Sequence, residues 1–315
     1  MLARSSPRLP TLIVLLHAAV APAASAETPT TPRIIVLASQ DTAPYREIVE
    51  GFQSVLREQH TSASIVLRFL DGRPEAANEE VRDYAAGNVT LFIPLGTNAV
   101  RAMVEQKVGT PIVASMILRE SEIEAAVDAT AVVLEFPTEV ELHWLRQILP
   151  RSRRVGVLYN AAENQARIDR ATRLAQDAGL ELRPHRVDAP KDLPGVLETL
   201  GAEVQVLWGV TDQIVMTPET AKPLMLFSIR ERIPFVGLSS AWVKAGALYA
   251  LDRDYHDIGR QVAEVALRVL AGQSAKSLTP ARPRKVVYSL NQRTAKAIGI
   301  SLPAAVLRDA KDVIE

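Results

Sequence analysis

The sequence predicts an α/β protein of two lobes, each built on a mostly parallel sheet. Apolar runs of strand length alternate with amphipathic runs of helix length, and such alternation is typical of βαβ units. It runs once over about 33–136 and again over about 137–248. The stretch 233–259 holds two extended segments joined by a polar, glycine-containing loop, as expected of a chain that passes between lobes. Open α/β sheets bind ligands off the carboxyl ends of their strands, so we expect a small-molecule site in the cleft.

In the first half, continuous apolar runs predict strands that are covered on both faces. The strands are predicted at 34–38, 65–70, 89–95 and 111–117, with an extended run at 130–136. The helices are predicted at 44–59, 75–86 and 98–107, with a short one at 120–126. Thr97 precedes the third helix and is a candidate for its N-cap, because a threonine hydroxyl accepts from the free N–H groups of a first turn.

The second half repeats this pattern after Pro150, which stops a helix at 139–149. The strands are predicted at 154–159, 181–187, 203–208 and 233–238, with an extended run at 248–251. The helices are predicted at 163–178, 193–200 and 218–230, and a loop that carries Trp242 follows the fourth strand. Trp144 lies on the apolar face of a helix and Trp208 ends an apolar strand, so we predict that both are core residues.

The tail has too few elements for a third domain, and we predict that it completes the two lobes. A helix at 254–271, N-capped by Asp254, precedes a loop rich in Pro, Ser and Arg at 273–284. A strand at 286–290, a short helix at 292–297 and a segment at 302–314 end the chain. The predicted N-terminal lobe comprises 33–136 and 250–284, and the predicted C-terminal lobe comprises 137–249 and 285–315.

The first residues have the features of a secretory signal. Arg4 and Arg8 precede an apolar stretch at 11–20, and Ala24-Ser25-Ala26 forms a small-x-small cleavage site, so we predict removal of 1–26. A polar, Pro-rich linker follows at 27–32. The alternative is an uncleaved anchor, but the apolar stretch is short of the roughly 20 residues that a span needs. No Cys follows to carry a lipid, and we expect a periplasmic protein with no stable membrane insertion.

Composition and motifs argue against several classes of protein. The chain carries 36 basic and 36 acidic residues, which gives no electrostatic reason to expect nucleic acid as a partner. With no Cys, disulfides and thiol chemistry are excluded. The histidines after the leader lack metal-ligand spacing, and no phosphate-binding glycine motif or G-x-S-x-G elbow is present. We therefore predict no catalytic residue, metal or cofactor; a periplasmic hydrolase would need a reactive Ser, His or carboxylate cluster in the cleft.

Several short segments, in their order and spacing, resemble the substrate-binding proteins of ABC transporters, in the branch related to tryptophan- and other aromatic amino-acid-binding proteins. The segments are Leu95-Gly96-Thr97, Leu158-Tyr159-Asn160, Pro234-Phe235-Val236, Gly246-Ala247-Leu248, Asp254-Tyr255 with Gly259, Leu270-Ala271-Gly272, Asn291 with Ala295 and Ala297, and Gly299-Ile300-Ser301-Leu302-Pro303. The resemblance covers nearly the whole mature chain. It implies a type I periplasmic-binding fold, with two Rossmann-like lobes that are joined by hinge strands and close on a ligand.

The resemblance also implies a ligand site made from the loops at the strand ends. The implied residues are Gln40, Asp41, Thr97 and Asn98 in the first lobe, and Asn160, Asp212, Ser239, Ser240 and Trp242 in the second. Thr97 and Asn98 would supply donors to an anion at a helix N-terminus, or would only cap the helix. Asp212 would receive an amine, or cap the next helix. Trp242 would stack on a ring, or pack within its lobe.

The chain departs from the family after the strand at 111–117. Members commonly carry a Val-Ser-Asp-Pro-like loop there, whereas this chain reads Ser115-Met116-Ile117-Leu118-Arg119-Glu120. Arg119 is either a carboxylate-binding residue or, by our expectation, a solvated charge near Glu120 and Glu122. We expect a monomeric solute-binding protein that presents a small polar ligand, with an amino acid as one candidate, to an ABC permease in the inner membrane. The alternative is a sensory or interaction module that signals to a membrane receptor.

Overall fold

The structure is a computed structural model of the 315-residue chain, and it describes residues 31–70 and 74–315. The predicted signal at 1–26 and most of the predicted linker at 27–32 lie outside the described residues. Among the residues it describes, no helix combines the length and the apolar character that crossing a membrane requires.

The first lobe is built on a parallel sheet whose middle strand is wholly apolar. In chain order its elements are β1 (Arg33–Ala38), α1 (Ala43–Glu58), β2 (Ser64–Phe69), α2 (Pro74–Ala85), β3 (Leu91–Leu95), α3 (Thr97–Glu105), β4 (Ile112–Ser115) and β5 (Ala129–Val132). The strand order is β2-β1-β3-β4-β5. All of β3 is buried, which is expected where helices cover both faces of a sheet.

The second lobe is built on a larger sheet, in the order β12-β11-β10-β9-β8-β6-β7. Its helices and strands are α4 (Thr138–Ile148), β6 (Arg154–Tyr159), α5 (Ala161–Asp177), β7 (Glu181–Arg186), α6 (Leu193–Glu203), β8 (Val206–Trp208), α7 (Pro218–Glu231), β9 (Phe235–Gly237), α8 (Ser240–Ala245), β10 (Tyr249–Arg253), β11 (Val286–Asn291), α10 (Gln292–Ile298), α11 (Ala304–Arg308) and β12 (Asp312–Ile314). Only β10 and β11 pair antiparallel among the described strands.

One helix of the tail, α9 (Tyr255–Leu270), packs on the first lobe rather than the second. A Cβ added at Gly51 would clash with the carbonyl of His256, and one at Gly259 would clash with the carbonyl of Ile48. The two glycines therefore let α1 and α9 approach backbone to backbone. The chain thus leaves the second sheet after β10 and rejoins it at β11, while the lobe boundaries given above stay a prediction.

The local predictions have mixed outcomes. Asp254 caps α9 as predicted, accepting a hydrogen bond from the N–H of Asp257 at 2.9 Å. Trp208 is a core residue, 2% exposed. The predicted loop after β9 is wrong, because 240–245 forms α8. Thr97 is not the N-cap of α3 but its first residue.

The N-terminus of α3 is capped from another strand. The hydroxyl of Ser39, just after β1, accepts from the N–H of Ala99 at 3.1 Å. Gly96 occupies the cap position with φ 92°, a left-handed conformation that favours glycine. The cap prediction for Thr97 failed because the capping hydroxyl comes from a residue remote in sequence.

Candidate functional site

In the first lobe, strand register brings the predicted residues to one edge of the sheet. Ala38 of β1 lies beside Leu95 of β3, and Leu95 lies beside Ser115 of β4. Because the three strands are parallel, the loops after them leave the sheet at the same edge. Gln40 and Asp41 follow the first of these strand ends, and Thr97 and Asn98 follow the second.

Two carboxylates hold these loops of the first lobe in place. Thr97 is exposed, and its hydroxyl donates to Glu122 Oε2 at 2.8 Å. The other oxygen of Glu122 accepts from the N–H of Leu118 at 2.9 Å, so Glu122 ties the start of α3 to the loop after β4. Asp41 accepts two hydrogen bonds from Arg46, at 2.6 and 2.8 Å. These contacts connect the loop after β1 to α1, and the loop after β4 to the start of α3.

In the second lobe, the ends of β6, β8 and β9 also lie side by side. Val157 pairs with Trp208, and Trp208 pairs with Val236. The loops that follow carry Asn160 and Asp212 into direct contact, with the N–H of Asn160 donating to Asp212 Oδ2 at 2.7 Å. Asn160 also caps α5 through its side chain, which accepts from the N–H of Ala162 at 3.1 Å.

The carboxylate of Asp212 is almost fully buried, at 3% exposure, and it has a structural task. Its Oδ2 accepts from the N–H of Asn160 and from Nδ2 of Asn164, the latter at 2.9 Å. Its Oδ1 accepts from the N–H groups of Ile214 and Val215 at 2.8 and 2.9 Å. We call these five residues the Asp212 network. The network fixes the loop after β8 against the start of α5, and contact of Asp212 with a ligand stays a prediction.

The predicted aromatic residue of the cleft lies on α8 and is half-buried. Trp242 packs edge-on against Phe235 with ring centroids 5.7 Å apart. A Cβ added at Gly237 would come within 2.6 Å of the Cβ of Trp242, so a glycine at the end of β9 lets α8 fold back on the sheet. Ser239 and Ser240, at the start of this helix, are also partly exposed. This half-buried packing agrees with either role predicted for Trp242.

A cavity of about 380 Å³ lies where the two lobes meet. It is lined by Arg119 from the loop after β4, by the segment that joins β5 to α4, by the first turns of α5, and by Arg282. We call it the junction cavity, and its lining residues are Arg119, Glu135, Phe136, Pro137, Thr138, Glu139, Glu163, Asn164, Ala166, Arg167, Arg170 and Arg282. None of the predicted ligand residues belongs to this lining.

The charges of the junction cavity are linked across the lobes. Arg119 lies 3.7 Å from Glu163 of α5 and 3.8 Å from Glu135. Arg167 approaches Glu135 at 3.1 Å and Glu141 at 2.9 Å. The expectation that Arg119 is a solvated charge near Glu120 and Glu122 is therefore wrong. Its side chain is 32% exposed and faces acids that are remote in sequence.

Beside Arg167 of the cavity lining, Glu141 is only 17% exposed. Burial raises the pKa of this carboxyl to about 7, while the positive charge and hydrogen bond of Arg167 act in the opposite direction. Beside it, Arg253 of β10 stacks on Phe136 with its guanidinium carbon 4.7 Å from the ring centroid. The Nε of Arg253 donates to the carbonyl of Leu134 at 2.8 Å, so this residue joins β10 to the segment after β5.

One acceptor of the junction cavity has no partner among the described residues. Asn164 is 1% exposed, and its Nδ2 donates to the carbonyl of Thr211 at 3.1 Å and to Asp212. Its Oδ1 is buried and receives no hydrogen bond. Buried polar atoms are nearly always hydrogen-bonded, so this oxygen is a candidate contact for a ligand donor. No group of His, Asp or Glu in the described ranges is arranged to hold a metal ion.

Sequence reasoning missed most of this lining for an identifiable reason. Glu163, Arg167 and Arg170 recur at helical spacing on α5, a pattern that usually marks a solvated helix face. The available signal was the combination of this charged face with Glu135 and Glu139 in the segment between two predicted elements.

Comparisons with known proteins agree on fold and family. The family model described as ABC transporter substrate binding protein matches residues 33–314. A curated tyrosine-binding protein from Clostridioides difficile (strain R20291) is 23% identical over 252 residues, which is 78% of this chain and 69% of the relative. The family model spans both lobes.

Three solved structures each cover 90% of this chain. A ligand-free, open substrate-binding protein with adhesive properties from Clostridium difficile has TM-score 0.75, 16% identity and 99% of its own chain covered. An ABC domain in complex with L-Trp from Streptococcus pneumonia has TM-score 0.60, 19% identity and 100% covered. A conserved domain protein from Vibrio cholerae has TM-score 0.59, 20% identity and 99% covered. The predicted two-lobed α/β fold, of the type I periplasmic-binding class, is confirmed.

Proposed function

This chain belongs to the family of ABC transporter substrate-binding proteins, and we propose that it captures an amino acid in the periplasm for an ABC importer. The family consists of solute-binding proteins rather than enzymes. The open form would take up the ligand, contacts to both lobes would favour closure, and a permease would receive the closed form. Closure is driven only as far as the ligand prefers the closed state over the open one.

The observation that carries this proposal is the arrangement of the two sheets. Both present the carboxyl ends of parallel strands to polar loops, and a cavity lined by residues of both lobes lies where they meet. Ligands of such sheets bind at this edge. The named ligands of relatives, tyrosine for one and L-Trp for another, support an amino acid as the solute.

Within this proposal the strand-end residues hold the part of the ligand that distinguishes one amino acid from another. Trp242 is half-buried at the end of β9 and offers an aromatic face or edge to a side chain. Thr97 and Asn98 stand at the start of α3, where the positive end of the helix dipole favours an anion. Gln40, Asp41, Ser239 and Ser240 complete the rim. Asn160 and Asp212 fix the loops after β6 and β8 through the Asp212 network.

A thermal-shift screen of the purified protein against the twenty proteinogenic amino acids, nucleosides, sugars and small acids tests the proposal. A ligand that binds only folded protein at 100 times its Kd stabilises it by about 2.7 kcal/mol, which raises Tm by a few degrees in a chain of this size. We expect an amino acid to give this shift. Trp242→Ala and Thr97→Ala should reduce the shift, whereas Thr199→Ala, an exposed threonine of α6, should leave it unchanged.

Two outcomes contradict parts of the proposal. If well-folded, ligand-free protein shows no shift with any amino acid, amino-acid capture is wrong. If an amino acid binds but neither cleft variant weakens it, the strand-end site is wrong although capture stands.

The second candidate function is a sensory or interaction module that signals to a membrane receptor. The observation that favours it is the loop Ser115–Glu120, which lacks the Val-Ser-Asp-Pro-like pattern that family members commonly carry. A permease and ATPase encoded beside this protein would favour transport, and a sensor kinase encoded there would favour signalling.

A further inference from the structure

The junction cavity offers charges of both signs at a size that suits a small solute. Its volume of about 380 Å³ falls within the roughly 300–1,000 Å³ that small-molecule sites occupy. Arginine and glutamate side chains from both lobes line it together with one ring, that of Phe136. A neutral or purely apolar ligand would leave these charges desolvated without new partners, which is unfavourable.

Two arginines of the cavity have guanidinium N–H groups that are available to a ligand. Arg119 and Arg282 are 32% and 39% exposed, and their ion-pair distances run from 3.7 to 4.0 Å. Within the described ranges, neither guanidinium makes a hydrogen bond. By contrast, Arg284 donates to both Asp257 and Glu264 at 2.9–3.1 Å. Both guanidiniums face the Glu135 carboxylate at 3.8 Å, which is too far for a hydrogen bond. A ligand carboxylate that approached them more closely would receive the short, charge-assisted bonds that both now lack.

The acceptor of Asn164 specifies the other half of the ligand. Its amide orientation is fixed because Nδ2 already donates to two oxygens, the carbonyl of Thr211 and Asp212 Oδ2. Oδ1 therefore stays an acceptor, buried and unpartnered among the described residues. Glu163 precedes Asn164 on α5, and its Oε2 accepts from the N–H of Gln213 at 3.0 Å. Its Oε1 faces Arg119 at 3.7 Å. A ligand that draws Arg119 away would leave Glu163 Oε1 open to a cation.

We infer that the junction cavity binds the zwitterionic end of an α-amino acid. The ligand carboxylate accepts from Arg119 and Arg282, and the ammonium donates to Asn164 Oδ1 and Glu163 Oε1. This inference rests on the proposed function and assigns its charge recognition to residues outside the strand-end site. It also gives the long contact of Arg119 with Glu163 a role, since the ligand replaces this ion pair with shorter contacts to both partners.

The experiment measures Kd by calorimetry for each proteinogenic amino acid that binds, and for its primary amide and its des-amino acid. The amide lacks the negative charge and the des-amino acid lacks the ammonium. We expect each analogue to bind about tenfold or more weakly than the parent, because a hydrogen bond to a charged group is lost in each case.

Variants connect this selectivity to the named residues. Arg119→Gln and Arg282→Gln should weaken the parent amino acid by about tenfold while barely changing the amide, so that the preference for a carboxylate collapses. Arg119→Lys should restore part of that preference because it keeps the charge. Arg173→Gln is the matched control, since Arg173 is exposed on the same helix α5 and does not line the cavity. The Tm of each variant without ligand checks its folding.

The outcomes separate this inference from the proposed function. Wild-type protein that binds an amino acid and its amide equally well overturns the inference and leaves amino-acid capture standing. So does unchanged selectivity in folded Arg119→Gln and Arg282→Gln. If no amino acid binds wild-type protein, the proposed function fails and the inference fails with it.

Discussion

The Asp212 network and the junction cavity share Asn164, yet they differ in how their polar groups are satisfied. In the network, one carboxylate accepts four hydrogen bonds of 2.7–2.9 Å. In the cavity, Arg119 and Arg282 approach acids at 3.7–4.0 Å, and the Asn164 oxygen has no partner among the described residues. The first arrangement stabilises a conformation, whereas the second leaves interactions available to a ligand.

This difference separates two kinds of polar residue that look alike in a sequence. Asp212 and Glu163 are both acids close to a strand end or a helix start. Both oxygens of Asp212 accept hydrogen bonds, from three backbone N–H groups and from the Asn164 amide. Glu163 accepts one with Oε2, but its Oε1 has only the guanidinium of Arg119 at 3.7 Å. If this distinction is right, substitutions in the network should cost stability, and substitutions in the cavity should mainly cost binding.

The largest expected effect is on the network. Asp212→Ala should lower the free energy of unfolding by about 3 kcal/mol or more. It removes the acceptor of the N–H groups of Asn160, Ile214 and Val215 and leaves Asn164 Nδ2 with only the carbonyl of Thr211. Urea denaturation followed by circular dichroism measures this loss. Asp177→Ala removes an exposed acid at the end of α5 and should change stability by less than about 0.5 kcal/mol.

A loss below about 1 kcal/mol for Asp212→Ala would contradict the structural role of the network. Asp212 would then be a candidate to bind a ligand amine.

An intermediate effect, dependent on pH, is expected at Glu141. Burial raises its pKa in the folded protein to about 7 from an ordinary 4.5, so folded protein keeps the proton over a range where unfolded protein has lost it. The free energy of unfolding therefore falls as pH rises from about 4.5 to about 7. Because Glu141 is 17% exposed, we expect a change of about 1–3 kcal/mol rather than the full value for the shift.

Glu141→Gln isolates this contribution, since glutamine does not titrate. Unfolding free energies of both proteins at pH 4.5, 5.5, 6.5 and 7.5 should converge at the acid end and separate as pH rises, with wild type losing stability relative to the variant. Arg167, Glu135 and Arg253 also act on this carboxyl, and all three are present in both proteins. A constant difference across the pH range would show that Glu141 does not titrate there.

The fold was accessible from sequence because its signals are local. The uninterrupted apolar residues of β1 and β3 predict buried parallel strands, and both strands were found. Helix α8 was missed because Ser240–Ala245 spans only six residues, too few to show helical periodicity. Short polar side chains such as those of Ser239 and Ser240 are common both in loops and at helix starts. Their presence therefore did not distinguish a helix from a loop.

The junction cavity was not accessible from sequence because its contacts are remote. Asn164 and Asp212 are 48 positions apart, and the acids beside Arg119 belong to the segment after β5 and to α5. Spacing rules relate neighbours within an element, so they assigned Arg119 to its nearest acids and described it as solvated. Tertiary packing gives it other partners.

The smallest expected stability effect is at Arg119. Arg119→Gln should change the free energy of unfolding by less than about 0.5 kcal/mol at neutral pH, because a partly exposed ion pair at 3.7–3.8 Å contributes little. The same urea titration measures it, with Arg173→Gln as the control. A loss above about 1.5 kcal/mol would mean that Arg119 holds the two lobes together, and weaker binding by this variant would then report lost structure. If the free energy of unfolding hardly changes while amino-acid affinity falls tenfold, the junction cavity serves binding and the Asp212 network serves stability.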